Sequence, residues 1–197
     1  MPDHSVLVLF AHPALRRSRV QRVLRDAAAL PGVTVHDLYE AYPDFDIDVD
    51  AEQALLRDHD TVLFQHPLYW YSVPPLLKQW FDLVLEHGWA YGTGGRALAG
   101  KQAGVAVSAG GRATAYAREG LNRFTLQEFL RPVEATARLC GMVWLPPFLV
   151  TGTHAMDERA IGAAATAYAR WLRLLTERRL DGDQLRAADA TTLAEGG

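Results

Sequence analysis

Residues 6–11 read Val-Leu-Val-Leu-Phe-Ala, six apolar side chains in succession with no polar face between them. A strand of that kind must be covered on both sides, which places it inside a parallel sheet between helical layers. Further segments of strand length occupy residues 33–38, 61–65, 102–107 and 142–150, the last interrupted by Pro146 and Pro147. They alternate with segments of helical spacing at 18–30, 50–58, 74–86, 125–140 and 157–179. This alternation predicts an α/β fold: a five-stranded parallel sheet with right-handed crossovers and helices on both faces.

The helices carry their own punctuation. Val20, Val23, Leu24 and Ala27 form the apolar stripe of the first, and Pro31-Gly32 ends it. Asp50 and Gln53 are spaced as a capping box for the second, Pro74 suits the first turn of the third, and Gly141 suits the exit of the fourth. In the last, Ile161, Ala164, Ala165, Tyr168, Trp171, Leu172 and Leu175 make a stripe for packing on a sheet. With 49% hydrophobic residues, positions 1–180 are expected to form one domain, and the polar residues 181–197 a frayed tail. Five strands is the count of flavodoxin-like sheets, in which ligands sit beyond the carboxyl ends of the strands, near the reversal in strand order. The chemistry is therefore expected in the loops after the first, third and fourth strands.

Charge and cysteine usage narrow the classes. Twenty basic and 23 acidic side chains give a formal charge of −3 with both signs scattered, so no basic stripe exists for nucleic acid. No signal-peptide pattern opens the chain and no apolar run reaches the length of a membrane span, which points to the cytoplasm. Cys140 is the single cysteine and reads as a small buried hydrophobe at a helix end rather than a nucleophile. The seven histidines show no metal-ligand spacing on a helix, so no metal is expected; His36, His59 and His87 are expected at the surface or at strand ends.

The loop after the first strand, residues 11–21, delivers Ser18 to a helix start. A helix N-terminus binds phosphate through its unpaired N–H groups and positive dipole end, with His12, Ser18 and nearby arginines as further donors. A plain N-cap serine beside solvated arginines is the alternative. After the third strand comes HPLYWYSVPPLLKQWFD, residues 66–82. Leu76, Leu77, Trp80, Phe81 and Val84 make a buried helix face, whereas Tyr69, Trp70 and Tyr71, consecutive in a turn, cannot all face one core. They are expected to form a shelf for something flat. After the fourth strand, Ser108-Ala109-Gly110-Gly111 lets backbone N–H groups approach a ligand closely, or makes an ordinary turn. Together the three loops describe a site for an aromatic ring with a phosphate tail, the shape of flavin mononucleotide (FMN).

In AHP followed by Ser18, HPLYWYSVPPLLKQWFD, HGWAYG, SAGGRATAY, and NRFTLQEFLRPVEATARLCGM followed by LPPF, the chain resembles the flavodoxin-like NAD(P)H:quinone oxidoreductases. Among these it is most similar to the bacterial flavoproteins that serve as ancillary subunits of glutathione-gated potassium efflux systems. The resemblance implies FMN, with FAD as the alternative, NAD(P)H as co-substrate, a quinone or other electrophile as acceptor, a ping-pong cycle and a homodimer. It also implies a potassium efflux transporter as partner, which would place a cytoplasmic protein peripherally at the inner membrane, with redox activity incidental to regulation. By position, His12, Ser18, Arg19, Val20 and Gln21 would hold the flavin phosphate. Pro67, Leu68, Tyr69, Trp70 and Tyr71 would line the ring, and Ser108, Ala109, Gly110 and Gly111 would contact its polar edge. Tyr116 matches the family's proton-assisting tyrosine, but Asn122 stands where a histidine is usual, and asparagine is no general acid. Gln21 replaces the more usual asparagine, and Ser108-Ala109 a common pair of threonines.

Other patterns carry less. Residues 92–97 satisfy a degenerate dinucleotide fingerprint but follow a helix and precede a strand, the reverse of what the mechanism needs. Residues 95–101 imitate a P-loop in which Gln102 replaces the metal-binding hydroxyl. Asp44, Asp46, Asp48 and Asp50 alternate like calcium ligands, but Val49 replaces the turn glycine and Leu55 the closing glutamate, leaving a solvated acidic loop. Ser108 is one residue short of a nucleophile elbow, with His154 as its imaginable base, which makes a serine hydrolase the rival enzyme.

Overall fold

The computed structural model describes residues 4–177, so the tail expected at 181–197 lies outside the described residues. Strands β1 (Val6–Phe10), β2 (Val33–Asp37), β3 (Thr61–Pro67), β4 (Gln102–Ser108) and β5 (Val143–Trp144) lie in the order β2-β1-β3-β4-β5, all parallel, with β6 (Phe148–Val150) also paired to β4. The helices are α1 (Val20–Ala27), α2 (Leu38–Ala41), α3 (Val49–Arg57), α4 (Pro75–Val84), α5 (Leu126–Leu139) and α6 (Glu158–Glu177). This is the flavodoxin-like α/β sheet that the alternation predicts, with the single turn of α2 added.

The alternation of side chains along β1 shows why the sheet must be covered twice. Leu7 and Leu9 enter the core beneath α3, α4 and α5, while Val6 and Val8 enter the core beneath α1 and α6. All seven residues of the expected α6 stripe are buried on that second side. The last strand is split where Pro146 and Pro147 cannot donate to the ladder. Gln102 lies opposite Val143 and Ala106 opposite Phe148, so this edge takes five steps where β4 takes four. Gly104 makes room for the bulge, since a Cβ there would come within 3.2 Å of Leu145 Cβ.

One local expectation is corrected. Asp50 and Gln53 form no capping box; Asp48, in extended backbone, caps α3 by accepting the Ala51 N–H at 3.0 Å, because the helix begins two residues early. The capping box belongs to α5, where Thr125 and Glu128 bond reciprocally. His36 and His59 lie at strand ends, at the close of β2 and just before β3. His59 is 9% exposed between Leu55 O and Thr34 Oγ1, and His36 Nε2 lies 2.6 Å from Glu52. Glu52, itself 1% exposed, also accepts from Tyr42 Oη and Trp80 Nε1 at 2.7 Å each, which fastens α4 to α3. Cys140 is buried at the end of α5, as its neighbours suggest. None of the described helices is long and apolar enough to cross a membrane, and no cluster among the described residues is arranged to hold a metal ion.

Candidate functional site

The chain places β2 on one side of β1 and β3 on the other, so the loops after β1 and β3 part and leave a cleft at the sheet's carboxyl edge. Its volume is about 480 Å³. Arg17, Ser18, Arg19 and Val20 line one end, His12 and the run Pro67, Leu68, Tyr69 the middle, and Ser108, Gly110, Thr153 and His154 the other end.

At the first end Ser18 adopts extended backbone and its Oγ accepts the Gln21 N–H at 3.1 Å. The serine is therefore the cap of α1, yet it also faces the cleft, so the two alternatives for it coexist. The N–H groups of Arg19 and Val20 have no intrahelical acceptor, and with two arginines beside them they suit a phosphate. His12 is fixed by its neighbours. The Ala14 N–H donates to Nδ1 at 3.1 Å, so the neutral ring carries its proton on Nε2, which lies 3.4 Å from Tyr69 Oη. Burial lowers the His12 pKa below the usual imidazole value and keeps it a neutral donor.

Gln21 does not line the cleft. It is fully buried below it, where Nε2 donates to His66 O at 2.8 Å and to Ser108 Oγ at 3.0 Å. Its Oε1 accepts from Gln65 Nε2 at 2.9 Å, and Gln65 Oε1 in turn accepts from Tyr168 Oη at 2.9 Å. One amide thus ties α1 to the ends of β3 and β4, and through Gln65 to α6. Ala109, 2% exposed, is likewise beneath the surface, its N–H donating to Val150 O.

The aromatic shelf divides. Tyr69 and Ser72 exchange backbone bonds of 3.2 and 3.0 Å around Trp70 and Tyr71, whose φ values are +48° and +64°. Two left-handed residues in succession make a turn that usually demands Asn-Gly, at a cost of about 1–2 kcal/mol for each side chain forced into it. Tyr69 lines the cleft, Trp70 stands 93% exposed, and Tyr71 stacks on Phe129 with ring centres 4.9 Å apart. Tyr71 Oη also donates to Asn122 Oδ1 at 3.2 Å, and Tyr116 and Phe124 meet the edge of Phe129. Asn122 and Tyr71 therefore belong to an aromatic cluster at the rim.

The glycine pair has a function that its motif does not announce. A Cβ on Gly110 would collide with the His154 ring, and one on Gly111 would come within 3.1 Å of the Tyr116 ring. The two glycines admit two rings, one on each side of the paired backbone N–H groups. The loop after β6 carries His154 there through Gly152 N–H to Gly111 O, 2.7 Å, and Thr153 N–H to Ala109 O, 3.2 Å. Ala14, Arg17, Thr153 and His154 are the cleft residues that sequence reasoning left out of the site. Ser108 Oγ accepts from Gln21 while His154 packs on Gly110, which gives the supposed nucleophile and base separate duties. A cationic helix start, an aromatic floor and a glycine pair with room for a ring edge together fit a flavin with a phosphate tail.

A cleft so built, on a sheet so ordered, defines a flavodoxin-like protein. The profile described as flavodoxin-like fold matches residues 4–174, and the chain belongs to that family. It is 49% identical over 168 residues to the glutathione-regulated potassium-efflux system ancillary protein KefG of Cronobacter sakazakii, covering 85% of this chain and 91% of that protein. Among solved structures it is similar to general stress protein 14 of Treponema denticola in complex with FMN, at 41% identity and a TM-score of 0.82, covering 87% of this chain and 99% of that one. The NADPH-quinone reductase of P. pentosaceus is 34% identical, with a TM-score of 0.78, covering 90% and 99% respectively.

Proposed function

We propose that this chain is an FMN-dependent oxidoreductase that passes electrons from NAD(P)H to a quinone or similar electrophile in a ping-pong cycle. The observation that carries the reading is the continuity of one cleft from the start of α1, past Tyr69, to Gly110. Bound FMN would supply the redox chemistry, accepting a hydride from the nicotinamide and returning two electrons to the acceptor. The chain's own part is to hold and polarise. Ser18, Arg19 and Val20 hold the phosphate, neutral His12 donates through Nε2, and Pro67, Leu68 and Tyr69 support the ring. Ser108, Gly110 and Gly111 meet its polar edge with Tyr116 beside them, Gln21 and Ala109 set the height of these loops from below, and Trp70, Tyr71 and Asn122 shape the rim. The likeness to an FMN complex and to an NADPH-quinone reductase supports this assignment.

A homodimer is part of the same reading. The groove between α4 and α5, about 340 Å³ and walled by Leu68, Val73, Phe81, Leu130 and Val133, offers a second copy an apolar seat. The Trp80 face of α4 itself lies in the chain's own core.

The purified protein mixed with FMN should show the bound-flavin absorbance bands and lose them on addition of NADH or NADPH, the faster of the two naming the donor. No flavin uptake would sink the proposal. The likeness to KefG favours a second reading, in which the chain docks on a potassium efflux transporter and so sits peripherally at the inner membrane. Ser18→Asp, which should repel the phosphate, separates the two: efflux that survives this change belongs to docking, and efflux that fails with it belongs to the flavin.

A further inference from the structure

His154 is the one ring at the glycine end of the cleft that the proposed cycle does not use. It is exposed to solvent on one side and packed on Gly110 on the other, and Nε2 is the ring atom closest to where a Gly110 Cβ would be. The backbone bonds from Gly152 and Thr153 to the β4 loop hold it at that height. The other imidazole of the cleft is unsuited to carrying charge. His12 has Nδ1 occupied by the Ala14 N–H and is buried, which disfavours its cation.

We propose that His154 is the charge-stabilising residue of this site: when the bound flavin is reduced, the protonated ring donates through Nε2, beside the Gly110 N–H, to the negative charge gathered on the flavin's polar edge. The inference rests on the flavin reading above. Its logic is electrostatic. Along the same cleft His12 lies at the middle and Arg17 and Arg19 at the far end, while Arg112 lies beside Gly152, Tyr116 beside Gly111, and Asp157 three residues on in the chain. Asp157 is engaged in accepting the Ala160 N–H at 2.7 Å. Reduction of a flavin bound here would bring negative charge to the glycine end of the cleft, which favours the cationic form of the ring beside it, so electron arrival and proton uptake are linked.

Histidine-labelled holoprotein followed by NMR, oxidised and then reduced with dithionite, tests this directly, with the His154 resonance assigned by its loss in His154→Asn. The His154 ring resonances are expected to move towards their protonated positions on reduction, and the residue to give reduced FMN about tenfold in affinity over oxidised FMN. His154→Asn should therefore lower the midpoint potential of bound FMN by about 30 mV for this two-electron couple. His154→Lys, which keeps a cation, should retain most of the potential and lose only the part of its pH dependence that His154 adds to the flavin's own. Ring resonances that do not move on reduction overturn the proposal. So does a His154→Asn variant that weakens both redox forms equally, since that is what loss of packing alone would do. Failure to take up FMN at all overturns the flavin reading and this inference together, whereas FMN bound with an unaltered potential overturns only the role of His154.

Discussion

Trp70 and Trp80 belong to one aromatic stretch and meet opposite environments. Trp80 is fully buried, its ring edge-on to Phe64 and Phe81 and its Nε1–H donated to Glu52 at 2.7 Å. Trp70 is 93% exposed on a left-handed backbone. The difference is one of period. On α4 the 3.6-residue repeat turns Leu76, Leu77, Trp80, Phe81 and Val84 to the core, whereas the turn before it has no repeat and holds its rings at the cost of strain. Packing alone accounts for the second half of the stretch. It does not account for the first, and strain of that kind persists where a site requires it.

The largest test of this contrast is Trp80→Ala. Emptying so large a site costs about 3–5 kcal/mol, and the change also strips a donor from a buried carboxylate. Urea unfolding should show it, while Trp70→Ala leaves the midpoint nearly in place. Trp80→Phe, which keeps most of the volume, isolates the missing N–H at about 1–3 kcal/mol. Equal losses at positions 70 and 80 would dissolve the contrast.

His66, at the head of the stretch, marks its buried boundary. Nδ1–H donates to Pro67 O at 3.0 Å, Nε2 has no hydrogen-bond partner, and burial pulls the pKa down to about 4. The unfolded chain, with an imidazole near 6.5, binds a proton that the native state refuses. Stability from this group is thus complete above about pH 6.5 and falls as the pH drops towards 4, by up to about 3 kcal/mol. Glu52 acts in a lower window. Burial opposes its ionisation, but bonds from His36, Tyr42 and Trp80 outweigh this and hold its pKa below the glutamate norm, so its contribution is lost only below about pH 4.3. Unfolding free energies measured from pH 7 to 4 should slope in the wild type and flatten in His66→Phe; a slope unchanged by that substitution would place the titrating group elsewhere.

How far the sequence could be read follows the same divide. Strands and helices are legible where an unbroken apolar run or a repeating period stands out, as along β1 and α6 respectively, and the broken fifth strand is legible because proline cannot donate. The roles of Gln21, Glu52 and His154 were not, because each depends on partners brought together only by the sheet: Gln21 with Ser108, Glu52 with His36 and Trp80, His154 with Gly110. The rule that ligands gather at the strand-order reversal found the loops after β1, β3 and β4. It missed the loop after β6, which reaches the cleft only by pairing with the β4 loop.

Within the shelf itself, Tyr69 and Trp70 should differ in what they give to FMN. Tyr69 lines the cleft and Trp70 does not. Loss of one ring contact is worth about 1.4 kcal/mol, so Tyr69→Ala should weaken FMN binding about tenfold by fluorescence titration, with Trp70→Ala weakening it less. The reverse order would mean that the turn rearranges around the ligand and that Trp70 swings over it.

The smallest expected effect is the most informative about the turn. Trp70→Gly removes a side chain that stands 93% exposed among the described residues and relieves about 1–2 kcal/mol of left-handed strain. Against this stands the extra freedom that glycine gives the unfolded chain, about 0.5–1 kcal/mol. The two nearly cancel, and a thermal melt should show an unchanged or slightly raised midpoint. A strained, exposed tryptophan that stability does not need is then held by what it contacts outside the chain, and the same variant should lose FMN reduction or association with a second copy while its fold stays intact. A melt lowered as far as that of Trp80→Phe would instead show Trp70 to be packed, and both halves of the stretch would answer to the same cause.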